Sequence, residues 1–109
     1  MAKHEFGIME IPPENHRRYD EYEPEKYNCI IVDDEYLEKA AESFCEINFY
    51  WHTLDVCGKG LAYCGVTLIP PEALGELAGL INGADGLEEL EALCEKAKKE
   101  NKWIIHFGL

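Results

Sequence analysis

Residues 47–69, INFYWHTLDVCGKGLAYCGVTLI, constrain the fold more than any other stretch, because two apolar, ring-rich runs flank a Cys57-Gly58-Lys59-Gly60 break. Phe49, Tyr50, Trp51, Thr53 and Val56 before the break, and Tyr63, Val66, Thr67 and Ile69 after it, are aromatic or β-branched. Such side chains fit a pleated, half-buried surface. Gly58 and Gly60 can supply the positive φ of a tight connection. The stretch therefore reads as a β-hairpin turning at Gly58-Lys59, with Val56 opposite Leu61, Leu54 opposite Tyr63 and His52 opposite Gly65. Alternation then gives two faces. Phe49, Trp51, Thr53, Ala62, Cys64, Val66 and Leu68 form a core face, and Tyr50, His52, Leu54, Tyr63 and Thr67 form a wetter one. A slip of one residue in pairing exchanges faces along a limb.

The rest of the chain has to cover these faces. Phe6, Ile8 and Ile11 suit a short strand within residues 1–11. Pro12–Lys26 (PPENHRRYDEYEPEK) is charged, punctuated by proline and without period, and reads as a long arm that Tyr19, Tyr22 and Tyr27 can pin to the body. Its His16-Arg17-Arg18 cluster reads as a solvated turn. Asn28–Val32 (NCIIV) is a continuous apolar run suited to a central strand buried on both faces. Asp33 stands where an N-cap belongs, and Leu37, Ala40, Ala41 and Phe44 carry a helix from about Asp34 to Glu46. The outer face of that helix holds Glu35, Glu38, Glu42 and Glu46. Pro71 opens a second helix with Leu74, Leu77, Ala78 and Ile81 as its apolar stripe. Gly75 and Gly79 in it suggest close backbone packing or a helix that can loosen, and Asn82-Gly83 ends it. Asp85 and Glu88 form a variant capping box for a third helix through Leu87, Leu90, Leu93, Cys94 and Ala97. Trp103–Phe107 (WIIHF) is the last strand.

The expected organisation is an arm with a short strand over residues 1–27 and a single α+β domain over residues 28–109. From Asn28 onward the order β-α-β-β-α(α)-β resembles a ferredoxin-like split βαβ sheet with helices on one face. This likeness of architecture implies no chemistry, since the fold hosts many unrelated functions.

Composition narrows the partners. A net charge of −12 repels phosphate backbones, so nucleic acid is not an expected partner, whereas cations and basic proteins are attracted. No window reaches the roughly 18 apolar residues of a membrane span, and Met1–Phe6 lacks the apolar segment of a secretory signal. A cytoplasmic location is expected. Five cysteines, Cys29, Cys45, Cys57, Cys64 and Cys94, are an odd number without a CxxC pair and read as reduced thiols.

The candidate chemistry is sparse. His52, Cys57 and Cys64 are zinc-ligand types within one hairpin, but in the register above Cys57 and Cys64 stand roughly 13 Å apart. Cys57 beside a glycine turn, with Lys59, His52 and Asp55 nearby in sequence, could be written as an activated thiol. Yet five residues of extended strand put His52 more than ~15 Å away. Gly58-Lys59-Gly60 lacks phosphate-loop spacing. His106 reads as a partly buried polar spacer. No catalytic residue, metal or cofactor is therefore expected.

What remains is the Tyr50, His52, Leu54, Tyr63 and Thr67 face. Rings with polar tips favour surfaces apolar on one side and wet on the other. Either the tyrosines of the arm or a partner can cover it. The first expectation is an interaction module that binds another protein, or its own copy, through an open sheet face or the acidic helix. The alternative is a small-molecule-binding protein or enzyme with a ring-lined pocket between that face and the arm. Pocket depth separates the two.

Overall fold

In a computed structural model, which describes residues 3–62 and 64–108, the chain forms a six-stranded antiparallel sheet with three helices. The strands are β1 (Lys3–Met9), β2 (Ile30–Asp33), β3 (Asn48–Trp51), β4 (Cys57–Lys59), β5 (Val66–Ile69) and β6 (Trp103–Phe107). The helices are α1 (Asp34–Ala41), α2 (Pro71–Ile81) and α3 (Glu88–Glu100), with 3-10 turns at Pro24–Tyr27 and Glu42–Glu46. The strand order is β2-β1-β6-β5-β3-β4. The protein is a small single-domain α+β structure. No helix of the described residues is long and apolar enough to cross a membrane.

The ferredoxin-like order would set the Asn28–Val32 strand against the hairpin. Instead β2 pairs only with β1 and forms an edge, with Ile31 58% exposed, while β1 takes the interior place between β2 and β6. The second difference lies between β5 and β6, which are adjacent and antiparallel. One crossover helix delivers the chain to the far end of the sheet and starts a parallel strand. Two packed helices, α2 and α3, return it to the end it left, so β6 runs back alongside β5.

The hairpin turns earlier than its glycines suggest. His52 takes a left-handed φ of 64° and ends β3. Trp51 N–H then donates to Val56 O (2.9 Å), and Asp55 N–H donates to Thr53 Oγ1 (3.4 Å) inside the turn. Gly58 therefore lies in β4, opposite Phe49. Its lack of a side chain makes room for an indole: a Cβ there would come 2.3 Å from Trp51 Cε2. Trp51 Nε1 donates onward to Gly60 O (2.9 Å).

β5 pairs with the other side of β3, Tyr50 opposite Leu68 and Trp51 opposite Thr67, one residue from the expected register. No tight turn joins β3 to β5, so burial sets this pairing. Val66 and Leu68 consequently share a face with Tyr50, and Thr67 and Ile69 lie under the helices.

Both faces of the sheet are covered. Phe6, Ile8, Val32, Phe49, Ile69 and Ile104 meet Leu37, Leu74, Leu77, Ile81, Leu90 and Ala97 in the helix-side core. On the other face Met9, Val66, Leu68, Ile105 and Phe107 pack beneath the arm. Tyr19 is buried there, and the Tyr22 and Tyr27 rings lie 5.5 and 6.1 Å from Phe107.

The helix signals are realised unevenly. Asp33 caps α1 by accepting from Glu35 N–H (2.9 Å), and Asn101 closes α3 in a left-handed conformation (φ 56°). Residues 42–46 tighten to a 3-10 turn rather than continuing α1. The N-cap of α3 is Leu87, without a side-chain cap, so Asp85 lies two residues too early for its box. Gly79 has nothing within 4 Å of a Cβ position, and Gly75 meets the Lys98 ammonium (3.3 Å), so neither marks a backbone contact between helices.

Candidate functional site

The five residues of the expected wet face are divided by the fold. Tyr50 and Leu54 are half-buried in the arm-side cluster, with the Tyr50 ring 5.7 Å from that of Trp103. Thr67 is fully buried on the opposite face. Tyr63 lies outside the described residues. His52 alone of the four placed residues reaches a cleft, of ≈ 560 Å³, between the arm and the sheet.

That cleft is lined by Glu5 of β1, Asp20 and Tyr22 of the arm, His52, Cys64 and Phe107, with Lys3 also at it. His52 is fixed by its backbone: its N–H donates to Val66 O (2.9 Å), and its carbonyl accepts from Tyr19 N–H (2.7 Å). Val66 N–H donates to its Nε2 (3.4 Å), leaving Nδ1 as the protonated nitrogen of the neutral ring. Nδ1 stands 2.7 Å from Asp20 Oδ1, off the line of a well-aligned bond, and has no other partner among the described residues. The ring also lies against Gly65, where a Cβ would come 2.6 Å from Nε2. A left-handed non-glycine residue beside a cleft is a recognised mark of a functional position, although histidine tolerates it better than most.

The charges around the ring are organised by the arm. Arg18 donates to both Asp20 oxygens (2.8 and 3.3 Å). This bond holds the Asp20 carboxyl below the usual range against the opposing effect of burial, with a smaller contribution from His52. Glu5 is 7% exposed and accepts a hydrogen bond from the Tyr22 hydroxyl. That bond, then burial, then the Glu5 charge push the Tyr22 phenol up to about 12. Burial, followed by the charge of Glu5, does the same to the Cys29 thiol, to about 12.

The arrangement weighed from sequence is taken apart. Asp55 approaches His16 (3.1 Å) instead of His52, and Cys57 is exposed on edge strand β4. The acid and thiol near His52 are Asp20, which the arm carries across the sheet, and Cys64. Among the described residues no three His, Cys, Asp or Glu side chains form a metal-binding group.

A second polar constellation lies on the other face of the sheet. His4, Thr67 and His106 are each 0% exposed on adjacent strands, and His4 reaches Asp34 at the start of α1. Its ends fix its direction, because an amide N–H only donates and a carboxylate only accepts. With both rings neutral, Ala62 N–H donates to Thr67 Oγ1 (2.8 Å), and the Thr67 hydroxyl to His106 Nδ1 (3.1 Å). His106 Nε2–H then donates to His4 Nδ1 (2.9 Å), and His4 Nε2–H to Asp34 Oδ1 (2.9 Å). Both nitrogens of both rings are satisfied. Burial, and secondarily repulsion from His4 when that ring is protonated, push His106 down to about 3. Sequence reasoning missed this chain because its members stand far apart in sequence, and lone histidines in apolar strands carry no signal of pairing.

Comparison of the chain with protein-family models, curated proteins and solved structures finds no match.

Proposed function

We propose that the protein binds a small molecule in the cleft between the arm and the sheet, with His52 as the group that hydrogen-bonds or exchanges a proton with it. One observation carries this reading: a half-buried imidazole, held in a left-handed backbone beside Asp20, opens on a cleft of ≈ 560 Å³. That volume is in the range of about 300–1,000 Å³ usual for ligand sites. The arm covers the sheet face that an interaction module would have offered. Cys64 lines the same cleft, so a thiol is available beside the imidazole. The test is a fragment screen read at the backbone amides of the full chain. Binding should shift Gly65, Val66 and Gly108, and His52→Ala should weaken it at least about tenfold.

A second reading, association with another protein or a second copy, is favoured by one feature. Edge strand β2 presents Ile31, 58% exposed, beside unpaired backbone groups, a template for a further strand. In the same screen, concentration-dependent shifts confined to residues 30–33 would support this reading over the cleft.

A further inference from the structure

The charge balance inside the cleft identifies a ligand class, an inference that rests on the cleft being a binding site. Asp20 is already neutralised by Arg18. Glu5 is not: it is more than nine-tenths buried, and its side-chain partner is the neutral Tyr22 hydroxyl. Lys3 lines the cleft too, but its residue is exposed and it forms no ion pair with Glu5. A solvated ammonium needs no partner, whereas a buried carboxylate is costly without a cation. The walls beside Glu5 are aromatic, with the Tyr22 and Phe107 rings edge to face at 5.5 Å. Such rings attract cations to their faces and apolar groups elsewhere. The Tyr22 oxygen donates its proton to Glu5 and so keeps lone pairs free to accept. At long range the net charge of −12 concentrates cations around the protein.

We propose that the cleft takes a small protonated primary amine bearing an apolar or aromatic group, with Glu5 as its counter-ion. The ammonium donates to a Glu5 carboxylate oxygen and to the Tyr22 phenol oxygen. The carbon skeleton lies against Tyr22, Phe107, Val66 and the His52 ring, all of which line the cleft. A carboxylate or phosphate ligand would meet Glu5 with like charge, and a neutral alcohol would leave the carboxylate without a cation. Tyr22 belongs to the arm, so the arm supplies both a wall of the site and one of its acceptors.

The experiment compares three probes of one shape, benzylamine, benzyl alcohol and benzoate, titrated into the full chain and followed at the amides of Gly65, Val66 and Gly108. Benzylamine is expected to bind at least about tenfold more tightly than either of the others, as suits a charge-assisted contact. In Glu5→Gln that preference should disappear while the weak binding of benzyl alcohol persists, which shows that the cleft is still formed. Tyr22→Phe keeps the ring and removes the acceptor, and should weaken benzylamine alone by about three- to tenfold. Equal or tighter binding of benzyl alcohol or benzoate in the cleft would overturn the amine assignment and leave the cleft as a ligand site. Benzylamine binding unchanged in Glu5→Gln would overturn it too. Failure of all three probes to shift those amides would overturn the cleft reading along with it.

Discussion

Two of the Asp–His pairs among the described residues lie on opposite faces of the sheet, and they differ in almost everything but composition. Asp34–His4 (2.9 Å) begins a chain of donors on the helix side of the sheet in which each ring nitrogen has a partner. Asp20–His52 (2.7 Å) sits on the arm side, with a poorly aligned contact, a left-handed backbone and a cleft at its edge. Regular strands present the rings of the first pair, and a strand-ending turn presents the second. A saturated, dry network contributes stability and has no bond left to offer a ligand. A strained, partly satisfied one is held in place by its surroundings and keeps a bond for something else. Residue type does not separate the two histidines; unspent hydrogen-bonding capacity next to a cavity does, and the proposed site rests on it.

The largest effect expected from breaking this contrast is at His4. His4→Ala removes two hydrogen bonds and leaves His106 and Asp34 facing a void. It should cost about 2–4 kcal/mol in urea unfolding. A loss under ~1 kcal/mol would show that the chain is not stabilising. Thr67→Val keeps the shape but orphans Ala62 N–H and His106 Nδ1, and should cost about 1–3 kcal/mol by the same measurement.

The buried chain should also give stability a defined pH dependence. His106 titrates near about 6.5 when unfolded and is pushed down to about 3 in the fold. Between those values the unfolded chain takes up a proton that the folded one refuses, so stability falls as pH drops from about 6.5 towards 3. His106→Gln lacks this titration, and the advantage of the native protein over it should shrink between pH 7.5 and 5. A constant advantage would mean that His106 takes up its proton in the fold as readily as in the unfolded chain. On the arm side a smaller, local effect is expected. Iodoacetamide should label exposed Cys45, Cys57 and Cys64 within minutes and spare Cys29 and Cys94, both pushed up to about 12 by burial. Benzylamine should slow labelling at Cys64 only.

The parts of this contrast legible in the sequence are those encoded by short-range pattern. Asp33 as a cap, Pro71 as a helix start, the α2 stripe and the Trp103–Phe107 strand all depend on neighbours a few residues away. The pairing of strands did not follow from pattern, because β1 and β6 are joined by register across nearly the whole chain. The glycines at 58 and 60 looked like a turn, since nothing local reveals that the Trp51 indole needs the space above Gly58. His52 is legible as a candidate, but the acid beside it is Asp20 in the arm, not Asp55, three residues on in sequence. Glu5 looked like one carboxylate among many, and its burial under Tyr22 is a tertiary fact. The tyrosines of the arm were readable as pins; that one of them would complete a cleft was not.

The most direct test of the account is His52→Gly, assayed at once for stability and for benzylamine binding. Glycine tolerates the φ of 64° that histidine holds under strain, and the bond the ring accepts from Val66 N–H is long, at 3.4 Å. The variant should match the native protein in urea or exceed it by up to about 1 kcal/mol, while cleft binding falls at least about tenfold. A loss of stability comparable to that of His4→Ala, with benzylamine still bound as tightly, would contradict it. His52 would then be the structural histidine, and the cleft would not be the site it serves.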